Sequence, residues 1–160
     1  VDSIDGYAMI LNLKEINKFK DFINLKYFDE NIFMYLENDD LCRRIIENKG
    51  KIFVVPKAKI SHIGGGAVDS KYKIQIELSR NWHWMWSKFY FNKKHKGFVR
   101  ALIIGFPSFL SAILKFIFYL VFKNKYKKEI YLHRASGYFN ALIGNKSYYR
   151  PSFNISDQEN

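Results

Sequence analysis

Residues 101–122, ALIIGFPSFLSAILKFIFYLVF, form a nearly uninterrupted apolar segment. As an α-helix, a segment of this length spans about 30 Å of hydrocarbon. Basic residues flank the segment on both sides: Lys93, Lys94, Lys96 and Arg100 precede it, and Lys123, Lys125, Lys127 and Lys128 follow it. The pattern predicts a helix that contacts a membrane.

Three features argue against a helix that crosses the bilayer. Pro107 would kink it, Lys115 puts a charge inside the apolar run, and lysines on both flanks specify no orientation. An interfacial or re-entrant helix fits these features better, and a hairpin of buried core helices is the alternative. Residues 129–143 carry apolar side chains at helical spacing and predict a further amphipathic helix.

The chain is strongly basic, with 26 Lys and Arg against 15 Asp and Glu and a formal net charge of +11. The excess lies beyond residue 70, so an anionic membrane surface is an expected partner. Lysines near such a surface contribute about 1 kcal/mol each. Nucleic acid is not expected, because nucleic-acid-binding modules do not need a long apolar run. Cys42 is the only cysteine, which excludes an internal disulfide and is consistent with a reducing cytoplasm.

Acidic residues gather in a second informative stretch, FDE at 28–30 followed by ENDDLCRR at 37–44. The apolar residues that follow recur at helical spacing, so the acids fall in the first turn of a predicted helix. Asn38 would be a good N-cap there. Carboxylates in a first turn are stabilised by the helix dipole by roughly 0.3–1 kcal/mol each, so a purely structural role is the alternative to chemistry.

The order of these motifs, between GYAMIL at 6–11 and AKISH at 58–62, resembles the C-terminal half of the catalytic domain of family 2 glycosyltransferases. The rhamnosyltransferase-like branch is the most similar, and the resemblance covers about residues 1–95. It implies an inverting enzyme that moves a sugar from a nucleotide-sugar donor to a lipid-linked or cell-surface polysaccharide. It also implies an α/β fold, the C-terminal part of a glycosyltransferase A (GT-A) type domain, followed by apolar and amphipathic membrane-associated helices.

The resemblance assigns roles to the acidic segment, where the family has a Glu-Asp pair and this chain has Glu37 and Asn38. An amide takes no proton at neutral pH, so Asp39 or Asp40 is expected to act as the general base on the acceptor hydroxyl. A divalent metal, Mn²⁺ or Mg²⁺, would neutralise the leaving diphosphate, with His62 as its ligand from this chain. A surface or packing role is the alternative for His62.

Further residues are implied in binding acceptor or diphosphate. Gly6 would border the acceptor site, and Arg44 and Arg80 would hold phosphate through their planar guanidinium groups. A solvated helix face is the alternative for Arg80. The glycines at 64–66 would let the backbone approach a ligand closely.

Three parts are therefore expected: residues 1–95 as the acceptor side of a catalytic domain, 96–150 as a basic helical membrane-associating region, and 151–160 as a polar tail. The family's Asp-x-Asp motif and nucleotide-binding unit are missing, which implies a fragment that is inactive alone. The expected location is the cytoplasmic face of the plasma membrane, peripheral or monotopic. A noncatalytic basic membrane-binding module is the alternative function.

The local patterns predict strands at 7–13, 52–55 and 59–62. They predict helices at 15–22, from the acidic segment to Asn48, and at 70–91. Within the last of these, Leu78, Trp82, Met85 and Phe89 recur at helical spacing and predict a packing stripe.

Overall fold

The computed structural model describes residues 1–19, 22, 27–62 and 69–151. The chain divides into two compact units, Val1–Gly64 and Gly65–Asn160. Among the described residues of the first unit, the helices with defined bounds are α1 (Leu13–Ile16) and α2 (Glu37–Glu47). In the second unit a 3₁₀ turn (Ser70–Tyr72) precedes α3 (Lys73–Lys96), α4 (Phe98–Val121) and α5 (Lys125–Leu142).

The fold is helical, so the expectation of an α/β domain of the GT-A type is wrong. The described residues contain no β-strand, and the three segments expected as strands are irregular apart from Leu13, which begins α1. A strand is stable only where a neighbouring strand satisfies its backbone N–H and C=O groups, and the described part of this unit provides none. Met9, Leu11 and Ile52 of these segments are partly buried against a small core. Other aliphatic and phenylalanine side chains of the segments are exposed, among them Ile10, Phe53, Val54, Val55 and Ile60.

The helix predicted at 15–22 overlaps α1 only at Glu15 and Ile16, and residues 20 and 21 lie outside the described residues. The other predicted helices are confirmed, with shifted ends. The acidic helix ends at Glu47, and the helix expected at 70–91 begins at Lys73 and extends to Lys96. Gly97, with φ +84°, lies between α3 and α4 in a conformation that glycine adopts readily. The N-cap of α5 is Asn124, whose Oδ1 accepts a hydrogen bond of 3.0 Å from the Lys127 N–H.

The three long helices pack together as a bundle in which α3 contacts both α4 and α5. The predicted packing stripe is largely confirmed, because Trp82, Met85 and Phe89 are each 1% exposed. The remaining members of this core come from all three helices: Trp86, Ala101, Tyr138 and Ala141. Burial of large aromatic side chains makes α3 the centre of the second unit.

Small residues set how closely these helices approach. A Cβ on Gly137 of α5 would collide with the carbonyl oxygen of Trp82, and one on Gly105 of α4 would collide with the ring of Tyr138. The buried positions of α4 are small, namely Ala101, Gly105 and Ala112. Leu102 and Phe109 of α4 also pack against this core, and most of its other large apolar side chains face outward. We call seven of these the outer stripe: Val99, Ile103, Phe106, Leu110, Leu114, Ile117 and Val121.

The segment after α5 returns to α3 through a buried histidine. His83 is fully buried, with Nδ1 2.9 Å from Ser147 Oγ and Nε2 2.8 Å from the Tyr149 carbonyl oxygen. Because a carbonyl only accepts, Nε2 carries the proton and Nδ1 accepts from the serine hydroxyl. Burial lowers the pKa of His83, and the charge of Arg150 lowers it further. The hydrogen bond to Tyr149 raises the pKa, but the net effect is a lowered pKa. Neutral His83 thus anchors residues 147–149.

Acid is expected to destabilise the second unit through His83. Its pKa is below 6.5 when folded and about 6.5 when unfolded, so the unfolded state takes up the proton more readily. The stability that depends on neutral His83 is present above pH 6.5 and falls as the pH drops toward the folded pKa. Urea denaturation between about pH 7.5 and pH 5 measures this loss. An unchanged pH dependence in His83→Gln would contradict the assignment.

Candidate functional site

The backbone before α2 adopts an unusual conformation. Tyr35 and Leu36 have φ of 68° and 66°, in the left-handed region that non-glycine residues seldom occupy. Such residues cost about 1–3 kcal/mol each and concentrate at functional sites. Leu36 is the N-cap of α2, so Glu37, Asn38 and Asp39 lie in the first helical turn. The strained turn thereby presents three polar side chains at one helix end.

Asn38 is half-buried and joins this helix end to the N-terminal segment. It is not the N-cap; its Nδ2 donates a hydrogen bond of 2.7 Å to the Ile4 carbonyl oxygen. Gly6 lies beside it, since a Cβ on Gly6 would be 3.5 Å from Asn38 Cβ. An aspartate carboxylate could not donate to Ile4. The amide therefore has a structural use that explains an asparagine at this position.

Two carboxylates remain next to Asn38. Asp39 is half-buried and accepts a hydrogen bond of 2.6 Å from Ser3 Oγ. Glu37 is also half-buried, and its Oε2 has no hydrogen-bond partner among the described residues. A buried carboxylate oxygen is a strong acceptor, and leaving it unpaired is costly. Because that oxygen is enclosed by the protein, it can accept a hydrogen bond from a ligand hydroxyl only once the Glu37 side chain rotates.

Asp40 has a different environment from its neighbours. It is fully buried and its Oδ2 lies 2.8 Å from Arg44 Nε, one helical turn away. Arg44 is also buried, stacks 4.7 Å from the Phe22 ring centroid and donates a hydrogen bond to the Tyr27 carbonyl oxygen. The contacts of Arg44 with Tyr27 and Phe22 anchor α2 to the rest of the unit, and Asp40 supplies the counter-charge of Arg44. Neither member of this ion pair presents surface to a substrate or a phosphate.

His62 is exposed and lies next to the N-terminal segment. Its ring stacks on Tyr7, with centroids 4.8 Å apart and an interplanar angle of 7°. Contacts therefore link His62 through Tyr7 and Gly6 to Asn38 at the mouth of α2. Among the described residues no group of three or more His, Cys, Asp or Glu side chains could hold a metal ion. Within the described part of the chain His62 thus belongs to no such group, and the glycines at 64–66 lie outside the described residues.

The structure thus brings together candidates that are far apart in the sequence. Gly6, Asp39 and His62 belong to one connected cluster, which we call the α2 cluster: Ser3, Gly6, Tyr7, Glu37, Asn38, Asp39 and His62. Arg80 is an exposed residue of α3 in the second unit. Ser3 and Tyr7 were not predicted as site residues, because a single serine or tyrosine forms no recognisable sequence pattern. Only the position of Tyr7 directly after Gly6 could have indicated that Tyr7 belongs to the site.

The outward face of α4 is the second feature with functional implications. α4 is long and apolar enough to cross a membrane by length and composition, and most of it is not buried in the bundle. Every residue of the outer stripe is 44–69% exposed. Contiguous apolar surface of this kind is typical of protein–protein or membrane contacts.

Comparisons with known protein families, with curated proteins and with solved structures each found no match. The functional interpretation therefore rests on the α2 cluster and on the surface of the α3–α5 bundle.

Replacing the acids of α2 singly is expected to separate a structural role from a chemical one. Asp40→Asn leaves Arg44 buried without its counter-ion and should lower the free energy of unfolding by about 3–5 kcal/mol. Asp39→Asn keeps an oxygen that accepts from Ser3 Oγ and removes only a charge at a half-exposed site, so it should cost about 1 kcal/mol or less. Urea denaturation of both variants measures the difference. An equal loss of unfolding free energy in the two variants would contradict the structural role of the buried Asp40–Arg44 pair.

Proposed function

We propose that this chain is part of an inverting glycosyltransferase that moves a sugar from a nucleotide-sugar donor to a glycan acceptor carried on a membrane lipid or the cell surface. The observation that carries the proposal is the α2 cluster. Its motif residues come from three separate regions of the sequence, yet contacts connect them around two carboxylates. Chance similarity of short motifs would not require these residues to lie together.

In the proposed reaction a carboxylate of α2 acts as the general base. Asp39 or Glu37 takes this role, because Asp40 is fully buried in its ion pair. The carboxylate removes the proton of the acceptor hydroxyl, and the oxygen attacks the anomeric carbon. The bond from that carbon to the diphosphate breaks, and the nucleoside diphosphate leaves with the electron pair. A single displacement inverts the configuration.

We further propose that the second unit holds this site at an anionic membrane surface. The outer stripe supplies apolar contact, at about 1 kcal/mol for each half-exposed aliphatic side chain transferred into the bilayer. Exposed cations lie at both ends of α4, with Lys96 and Arg100 at its start and Lys123 and Lys125 just beyond its end. Cations at both ends suit a helix that lies flat among anionic headgroups.

The charges beside the middle of α4 decide between a flat and a crossing helix. Lys88 of α3 donates to Ser108, midway along α4, and Lys115 lies 5.3 Å from the Tyr131 ring centroid. A crossing α4 would carry both cations toward the bilayer centre, where each costs about 2.5–3.5 kcal/mol or more. A flat α4 leaves them at headgroup level. Peripheral, in-plane association is therefore the arrangement that we propose.

A noncatalytic membrane-binding module is the second candidate function. The exposed outer stripe with cations at both ends favours it, since these features support membrane binding without any reaction. In that case the carboxylates of α2 contribute only to stability. The two candidates differ in whether Asp39 and Glu37 affect turnover.

Release of nucleoside diphosphate from a panel of nucleotide sugars, in the full-length gene product with membranes and Mn²⁺ or Mg²⁺, tests the transferase proposal. Loss of a general base lowers turnover by about 10²–10⁴-fold, so Asp39→Asn or Glu37→Gln should show a fall of this size. Glu47→Gln, at the exposed end of the same helix, is the matched control and should retain turnover.

Circular dichroism of each variant confirms that it is folded. Near-normal turnover in both Asp39→Asn and Glu37→Gln would contradict the proposed base. No release from any sugar, with binding to lipid vesicles intact, would favour the noncatalytic module.

A further inference from the structure

A cleft of about 310 Å³ opens between α4 and α5 in the second unit. Ser108, Ser111 and Lys115 line it from α4, where their spacing of three and four residues places them on one helix face. Tyr131 and Arg134 line it from α5, again three residues apart. The cleft therefore combines two cations, two aliphatic hydroxyls and a phenol.

A third cation borders the cleft from α3. Lys88 is half-buried, and its Nζ lies 3.1 Å from Ser108 Oγ, which lines the cleft. Each of the three helices thus contributes one cation, namely Lys88, Lys115 and Arg134. None of the ion pairs among the described residues involves any of them.

The contacts of Arg134 leave most of its hydrogen-bonding capacity unused. Its Nη1 is 3.4 Å from Asn81 Oδ1 and its Nη2 is 4.0 Å from Met85 Sδ, both weak contacts. A guanidinium carries five N–H donors in a planar fork that matches phosphate oxygens. Three cations that form no ion pair among the described residues repel one another until an anion is bound.

The surroundings of the cleft indicate which anion it suits. Hydroxyl, ammonium and guanidinium donors together match the oxygens of a phosphate group. The cleft lies on α4, whose outer stripe is a long exposed apolar surface. A ligand with a phosphate and an apolar chain can use both features at once, with the phosphate in the cleft and the chain along α4.

We propose that this cleft, which we call the α4–α5 cleft, binds the phosphate group of a membrane lipid through Arg134, Lys115 and Lys88. The inference does not depend on glycosyl transfer, although it shares with the proposed function the contact of α4 with the membrane. It gives the in-plane arrangement a specific contact besides general attraction between lysines and an anionic surface.

The test measures phosphate preference with the whole chain and three kinds of vesicle. These are phosphatidylcholine alone, phosphatidylcholine with phosphatidic acid, and phosphatidylcholine with oleate at a matched zeta potential. The preference is the affinity for the phosphatidic acid vesicles divided by that for the oleate vesicles. General electrostatic attraction cancels in this ratio, because the surface charge is the same. We expect a preference of about tenfold or more, the size of one charge-assisted hydrogen bond.

Two variants remove the site in different ways. Lys115→Gln with Arg134→Gln removes two charges, and Ser111→Phe fills the cleft without changing charge. Both should lower the preference to about one. The matched control is Lys73→Gln with Lys146→Gln, two exposed residues of the same unit away from the cleft, which should keep it. Circular dichroism confirms folding of all three.

Three results would overturn the inference: no preference in the unmodified chain, a preference retained when the cleft is filled, or an equal loss in the control. Glycerol 3-phosphate without vesicles distinguishes the source of the phosphate. Weak binding in solution is expected, since the apolar chain is missing. Binding as tight as that of phosphatidic acid vesicles would overturn the assignment to a lipid. Nucleotide release does not enter this measurement, so it can fail independently of the transferase proposal.

Discussion

The second unit depends on the small residues along the buried side of α4. Tyr138 of α5 packs against Gly105, where any larger residue would collide with its ring. Ala101 and Ala112 keep the rest of this side narrow. Leu102 and Phe109 of α4 pack against the core, whereas most of its other large apolar residues face outward. An exposed apolar surface on α4 thus remains once the three helices have packed, and membrane contact is the proposed use of that surface.

The charges of the bundle then determine how that surface can meet a bilayer. Lys88 and Lys115, beside the middle of α4, would enter hydrocarbon if the helix crossed but would stay at headgroup level if it lay flat. The proposed phosphate contact at Arg134 follows from the same arrangement. In the first unit Arg44, paired with Asp40, anchors α2 through Tyr27 and Phe22, and Asp39 and Glu37 remain at the helix mouth for the proposed chemistry.

Helices could be predicted from the sequence, whereas strands could not. The stripe containing Trp82 and Phe89 repeats with the period of a helix, and a helix satisfies its own backbone hydrogen bonds. A segment such as residues 52–55 has strand propensity, but a strand also needs a partner that no local pattern specifies. The burial of Asp40 could not be predicted either, because carboxylates in the first turn of a helix are usually exposed. The α4–α5 cleft forms only where side chains of three packed helices come together, so no local sequence pattern predicts it.

The depth of α4 in a bilayer tests the central claim most directly. Nitroxide labels at single cysteines replacing Val99, Leu110 and Val121, with buried Cys42 changed to alanine, report depth through collisions with oxygen and with a water-soluble quencher. If α4 lies in the plane of the membrane, all three labels are expected at one shallow depth, about 5–10 Å below the headgroups. A deep label at Leu110, with shallow labels at Val99 and Val121, would show a crossing helix and contradict the account.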